Sequence, residues 1–136
     1  MSDRFVRSYL NEHVKCITRI RTANMVIDGQ VIGTLSEESN DAEEVSWVIR
    51  PNYDADPRLL GLIPGIDLDL HLDEYVRSFE PCIVEERTLD DERPDLKKRL
   101  KALGMRWNDK FEYMCRTHGI CGNNPIQIER VDECSL

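Results

Sequence analysis

The chain has 136 residues, 40% of them apolar and 32% charged, with a formal net charge of −8. It is too polar for a membrane bundle and too apolar for a disordered segment, and at this length it can bury roughly 65–70% of its unfolded surface without staples. No apolar run approaches a spanning helix, and residues 1–10 mix Asp3, Arg4 and Arg7 into their apolar positions, so no signal peptide is expected. The expectation is a soluble, cytoplasmic protein.

Charge is uneven along the chain. Residues 1–21 carry five Lys/Arg against two acids, and residues 22–86 carry three against fifteen. Residues 87–116 return to nine against six, and residues 117–136 carry one against three. An acidic middle repels phosphate backbones and anionic membranes, although a local basic face is compatible with this distribution. The cysteines are Cys16, Cys82, Cys115, Cys121 and Cys134. An odd number without a signal peptide argues for reduced thiols rather than a disulfide frame.

Residues 1–13 read as an N-terminal extension. Residues 14–131 read as one domain that opens with a hairpin over 14–35. Met25-Val-Ile27 and Gln30-Val-Ile32 flank Asp28-Gly29, a dipeptide suited to the two positive-φ positions of a tight hairpin turn. Gly33 then marks a bulge or a close backbone approach. Residues 36–44 hold five acids and no large apolar group, and read as a solvated, mobile loop. Val45 to Ile49 suits a strand stopped by Arg50-Pro51. Residues 52–67 are turn-rich, with an apolar patch at Leu59, Leu60, Leu62 and Ile63 that either plugs the end of a core or presents a partner contact.

Leu72, Val76 and Phe79 fall at i, i+4 and i+7, which predicts a short helix over 72–79. A clearer helix follows, with Pro94 at its first position, a Leu96, Leu100 and Leu103 stripe, and Gly104 just past its end. Asn108 is placed to cap one more helix, with Phe111, Met114 and Cys115 on a common face. Residues 125–131 alternate apolar and polar as a half-buried closing strand does, and 132–136 read as a tail. The order is α+β: an N-terminal antiparallel hairpin and sheet, short helices, and a closing strand.

Candidate chemistry is sparse. On a strand, Asp67, Asp69 and His71 would share a face and suit a divalent metal or acid–base work; alternating with leucines, they equally describe an amphipathic edge with its acids in water. Cys115, His118 and Cys121 offer at most three of the four ligands zinc requires, at a Cys-x5-Cys spacing wider than the usual knuckle. Lys97, Lys98, Arg99 and Lys101 form a basic helix face that suits phosphate or plain solvent. Trp47 and Trp107 suit core or rim positions. The chain lacks a Gly-x-Ser-x-Gly elbow, a phosphate loop, a dinucleotide fingerprint and a His-Glu-x-x-His motif. No catalysis, metal or cofactor is expected.

Two stretches, read together, resemble the N-terminal module of HipA-type kinases. The first is Met25-Val-Ile-Asp-Gly-Gln-Val-Ile-Gly-Thr-Leu35, followed by Trp47 and Asn52-Tyr53-Asp54. The second runs from Tyr75 to Arg130, with Asp109-Lys-Phe-Glu-Tyr-Met-Cys-Arg-Thr-His-Gly119 as its most specific piece. Ile63-Pro-Gly-Ile-Asp-Leu68 and Ile126-Gln-Ile-Glu129 look closer to a related module that precedes HIRAN domains in some bacterial proteins. The Gly-Asp/Cys-Ala-Gly turn typical of HipA proteins is here Gly119-Ile-Cys-Gly-Asn-Asn124, and a kinase half is absent from these residues. The resemblance implies a non-catalytic module that binds and regulates a HipA-like kinase of a bacterial toxin–antitoxin type, with Leu59, Leu60, Leu62 and Ile63 facing the partner. The alternative it implies is an accessory domain of a HIRAN-like DNA-processing protein, binding nucleic acid through Lys97, Lys98, Arg99 and Lys101.

Overall fold

The computed structural model describes residues 16–131. The expected N-terminal extension, the tail at 132–136, His13 and Cys134 lie outside the described residues. The α+β expectation holds. Five antiparallel strands form one sheet in the order β4-β3-β2-β1-β5, and short helices cover one of its faces.

Strands β1 (Arg19–Ile27) and β2 (Gln30–Ser39) make the expected hairpin. Asp28 and Gly29 turn it with φ of 48° and 78°, the left-handed pair that matches the right-handed twist of the flanking strands. The register slips between Met25 and Val26, opposite Gly33. A Cβ on Gly33 would lie 2.8 Å from the Arg50 carbonyl oxygen and 2.9 Å from Met25 Cε, so both readings of this glycine are realised at once.

Strand β2 overturns part of the expected acidic loop. Ser36 to Ser39 are strand, paired with Arg19–Thr22 on one side and with β3 (Val45–Pro51) on the other. Local composition disfavours this, but cross-strand cations stabilise the acids: Arg21 holds Glu37, and Arg50 reaches Glu38 at 3.5 Å. What remains of the loop is a tight turn in which the Asn40 side chain accepts from the amides of Ala42 and Glu44, each at 3.0 Å.

The turn-rich segment contains α1 (Pro57–Leu60), capped by Asp56, and a 3-10 turn at Leu68–Leu70. The helix expected over 72–79 is absent. Tyr75–Arg77 forms β4 instead, pairing Tyr75 with Ile49, Val76 with Val48 and Arg77 with Trp47. The open edge of β3 supplies ladder hydrogen bonds that outweigh an i, i+4, i+7 pattern over so short a span. Phe79, expected inside, is consequently exposed.

Helices α2 (Cys82–Glu85), α3 (Leu96–Ala102) and α4 (Lys110–Arg116) follow. Pro94 precedes α3 rather than opening it; an i→i+3 bond from the Leu96 amide to the Arg93 carbonyl winds the chain into the helix first. Gly104, at φ 74°, ends α3 as expected, with the Gly104 and Met105 amides bonding back to Lys101 and Leu100. The cap of α4 is Asp109 and not Asn108: Asp109 Oδ1 accepts from the Glu112 amide at 3.2 Å. Asn108 instead donates through Nδ2 to the Leu89 carbonyl and to Asp91. Strand β5 (Gln127–Arg130) closes the sheet against β1, and α4 packs on β5 and α2.

The core lies between the sheet and these helices. Ala23, Leu35, Ile49 and Tyr75 form one row across four strands, and Met25, Ile128, Ile83, Phe111 and Met114 pack around it. Burial of a large side chain contributes about 1.5–3 kcal/mol, so this cluster is the main source of stability.

Candidate functional site

The next row of the same sheet face is Arg21, Glu37, Trp47 and Arg77. Here the core gives way to charge. The Arg21 guanidinium is 7% exposed, stacks 4.8 Å from the Phe111 ring centre, and reaches Asp109 through two bonds of 2.6 and 2.9 Å. It also holds Glu37, through Nε at 3.0 Å and through a second guanidinium nitrogen. Burial works against its charge, but the hydrogen bonds to Asp109 and Glu37 outweigh that and raise its pKa. One cation thus ties β1 to β2 and to the start of α4.

Beyond this knot an open groove of about 550 Å³ runs between the sheet and the helices. Glu37, Val45 and Trp47 form its sheet wall, and Ser78, Phe79 and Glu80 line it where the chain leaves β4. The opposite side comes from Glu85, Asp91 and residues 107–110. A second recess of about 410 Å³ shares Glu80, Glu85, Asp91 and Lys110 with it. Phe79 and Trp107 are 61% and 63% exposed, the two largest aromatic exposures along the described chain. Trp47 is buried in the wall. Both tryptophans of the sequence therefore line one groove.

Five carboxylates line the groove, at Glu37, Glu80, Glu85, Asp91 and Asp109, against one ammonium at Lys110. Arg21 pairs with both Glu37 and Asp109, one cation against two carboxylates, and Lys110 pairs with Glu80 at 2.8 Å. Among the described residues, Glu85 has no ion-pair partner, and Asp91 has only the neutral Asn108 amide at 2.7 Å. Asn108 Oδ1 is buried without a hydrogen-bond partner. The groove thus combines exposed aromatic surface with uncompensated negative charge.

The residues singled out from sequence fall elsewhere. Leu60 and Ile63 are 5% and 4% exposed and belong to the core, Leu59 packs half-buried against it, and Leu62 alone of the four is exposed. Leu60 and Ile63 plug the core, and of the four side chains expected to face a partner only Leu62 is open to solvent. Ile63→Ala is expected to cost about 2–4 kcal/mol, and Leu62→Ala about 0.5 kcal/mol or less, as read by chemical denaturation.

Asp67, Asp69 and His71 do not share a strand face: Asp67 caps the 3-10 turn, and His71 stacks on Tyr53 with ring centres 3.9 Å apart. Cys121 donates to the Glu86 carbonyl at 3.2 Å, and His118 is exposed. Among the described residues, no three His, Cys, Asp or Glu groups are arranged to hold a metal ion. Burial pushes the half-buried Cys115 thiol up to about 11, against the opposing pull of Arg21. A thiol reagent at pH 8 should therefore modify exposed Cys16 and Cys82 well before Cys115, as peptide mapping will show. Because the folded value is the higher one, the stability Cys115 contributes is complete below pH 9 and erodes as pH rises toward 11.

The basic residues Lys97, Lys98, Arg99 and Lys101 are exposed on α3. Arg99 is bound to Asp95 at 2.7 Å, and Arg99 and Arg93 together hold the Asp95 carboxyl down at about 2. Part of this face is thereby neutralised within the chain.

Sequence reasoning missed the groove. The periodicity places Phe79 on the apolar stripe of a helix over 72–79, and the acids at Glu37, Glu85 and Asp91 lie in three separate segments. The sequence signal that bears on it is the pair of bulky aromatics Phe79 and Trp107, each set among polar and charged neighbours. Among the described residues no helix is long and apolar enough to cross a membrane. Comparison with protein-family models, with curated proteins and with solved structures returns no match to this chain.

Proposed function

We propose that this chain is a non-catalytic protein-interaction module whose contact surface is the groove flanked by Phe79 and Trp107. The observation that carries this reading is the exposure of two large aromatic side chains on the walls of one groove. Aromatic anchors of this kind dominate binding energy at protein interfaces, and leaving them in water has no folding benefit.

The motif resemblance supplies the partner: a HipA-like kinase of a bacterial toxin–antitoxin type, regulated by occupation of the surface that a fused N-terminal module would cover. The test is to mix the full chain with such a kinase and measure complex formation by sizing and autophosphorylation by radiolabel transfer. The expected result is a stoichiometric complex with altered kinase activity, weakened by Phe79→Ala with Trp107→Ala. Unchanged activity and no complex at excess protein would reject the kinase as partner.

A further inference from the structure

The groove presents a specific combination of surfaces. Phe79 and Trp107 offer exposed aromatic side chains, while Glu85 and Asp91 supply carboxylates that form no ion pair within the described chain. Ring faces carry negative potential and attract cations, and a carboxylate at the same site adds direct attraction and hydrogen-bond acceptors. An anionic ligand would be repelled by both. A bare divalent ion lacks a cluster of three ligating groups to hold it. A long cationic side chain fits each element: its methylenes lie on the rings and its charged head meets the acids.

We propose that the groove receives a basic segment of a protein partner, seating a Lys or Arg side chain against Phe79 and Trp107 with its charge at Glu85 and Asp91. The charge complementarity centres on Glu85 and Asp91, because the other three carboxylates of the groove are engaged by ion pairs, Glu37 and Asp109 sharing Arg21 and Glu80 holding Lys110. The second recess adds Asp90 and an Arg93 that is already paired with Asp95, and gives a segment of several residues room to lie along it. This inference rests on the interaction-module reading and names the chemistry of the partner's contact.

The test is selection of a displayed library of random peptides about nine residues long on the full chain, followed by titration of the enriched peptides. Because Trp47 and Trp107 both line the groove, intrinsic fluorescence reports its occupancy directly. The expected result is enrichment of Lys or Arg at a fixed position. Phe79→Ala or Trp107→Ala should weaken the enriched peptide about ten-fold or more, and Glu85→Gln or Asp91→Asn about two- to five-fold each. All four side chains are exposed, so these variants are expected to fold, which circular dichroism checks. Raising salt from about 50 to about 500 mM should also weaken binding, and a Lys/Arg→Gln peptide should lose it.

No enrichment, or an acidic or purely apolar consensus, would overturn the inference. So would a basic consensus whose affinity survives all four substitutions. A kinase captured through the groove without any preference for basic residues would reject this inference and leave the module reading standing. A basic consensus without kinase binding would reject the kinase and leave the groove's specificity standing.

Discussion

Arg21→Met is expected to lower folding stability by about 3–5 kcal/mol, measured by urea unfolding, although methionine fills nearly the same space. The side chain is nearly buried, and its two carboxylate partners, Glu37 and Asp109, are 13% and 12% exposed. Removing the cation leaves two acids in a poorly hydrated site, facing each other across β2 and the start of α4. That cost exceeds the loss of any single hydrogen bond, because desolvation of an uncompensated charge has no offset. Asp109 is also the cap of α4, so its repulsion from Glu37 acts on the helix that carries Phe111 and Met114 into the core. Adding Glu37→Gln and Asp109→Asn to Arg21→Met should recover much of the loss, since neutral groups of similar shape leave no unpaired charge. If Arg21→Met alone cost less than about 1 kcal/mol, Arg21 would not be the cation that ties the two strands to the helix.

Gly119→Ala is expected to cost about 2–5 kcal/mol and to loosen β5 in particular. Gly119 adopts φ 64°, a conformation that opposes any side chain. A Cβ there would sit 2.3 Å from Ile128 Cγ1, 2.7 Å from Ile128 Cβ and 3.0 Å from its backbone nitrogen. That nitrogen donates to the His118 carbonyl at 2.8 Å, so the overlap falls on a bond that fixes the closing strand to the end of α4. Overpacking and backbone strain add here. Gly122→Ala separates the two: its φ is 51°, but a Cβ would meet nothing within 4 Å, so only strain of about 1–2 kcal/mol is expected. Hydrogen exchange at the Ile128 amide should accelerate in the first variant and stay near the parent value in the second. Equal losses in both variants would rule out close packing against Ile128 as the reason for glycine at 119.

Much of the fold was legible because its causes are local. Asp28-Gly29 favours a left-handed turn where it stands between two β-branched runs, and Gly104 and Met105 end α3 through amide bonds to Lys101, three positions back, and Leu100, five positions back. The Ile126 and Ile128 alternation marks β5 for the same reason: neighbouring positions reveal which side faces the core. The apolar patch at Leu60 and Ile63 was readable as core or as docking surface, and only packing decided between them.

What the chain by itself determined is therefore its α+β character, its opening hairpin, the end of α3 and its closing strand. Tertiary structure decided the rest, where distant segments supply the stabilising partner. Ser36–Ser39 became strand because Arg21 and Arg50 neutralise the acids beside it, and 75–77 became strand because β3 had an open edge. The Arg21–Asp109 bond joins residues 88 positions apart, and the groove above it draws its acids and aromatics from separate segments between Glu37 and Asp109. Backbone propensity acts within a turn or a strand pair. Charge compensation and surface shape depend on which side chains the completed fold brings within a few ångströms, and no local pattern records that.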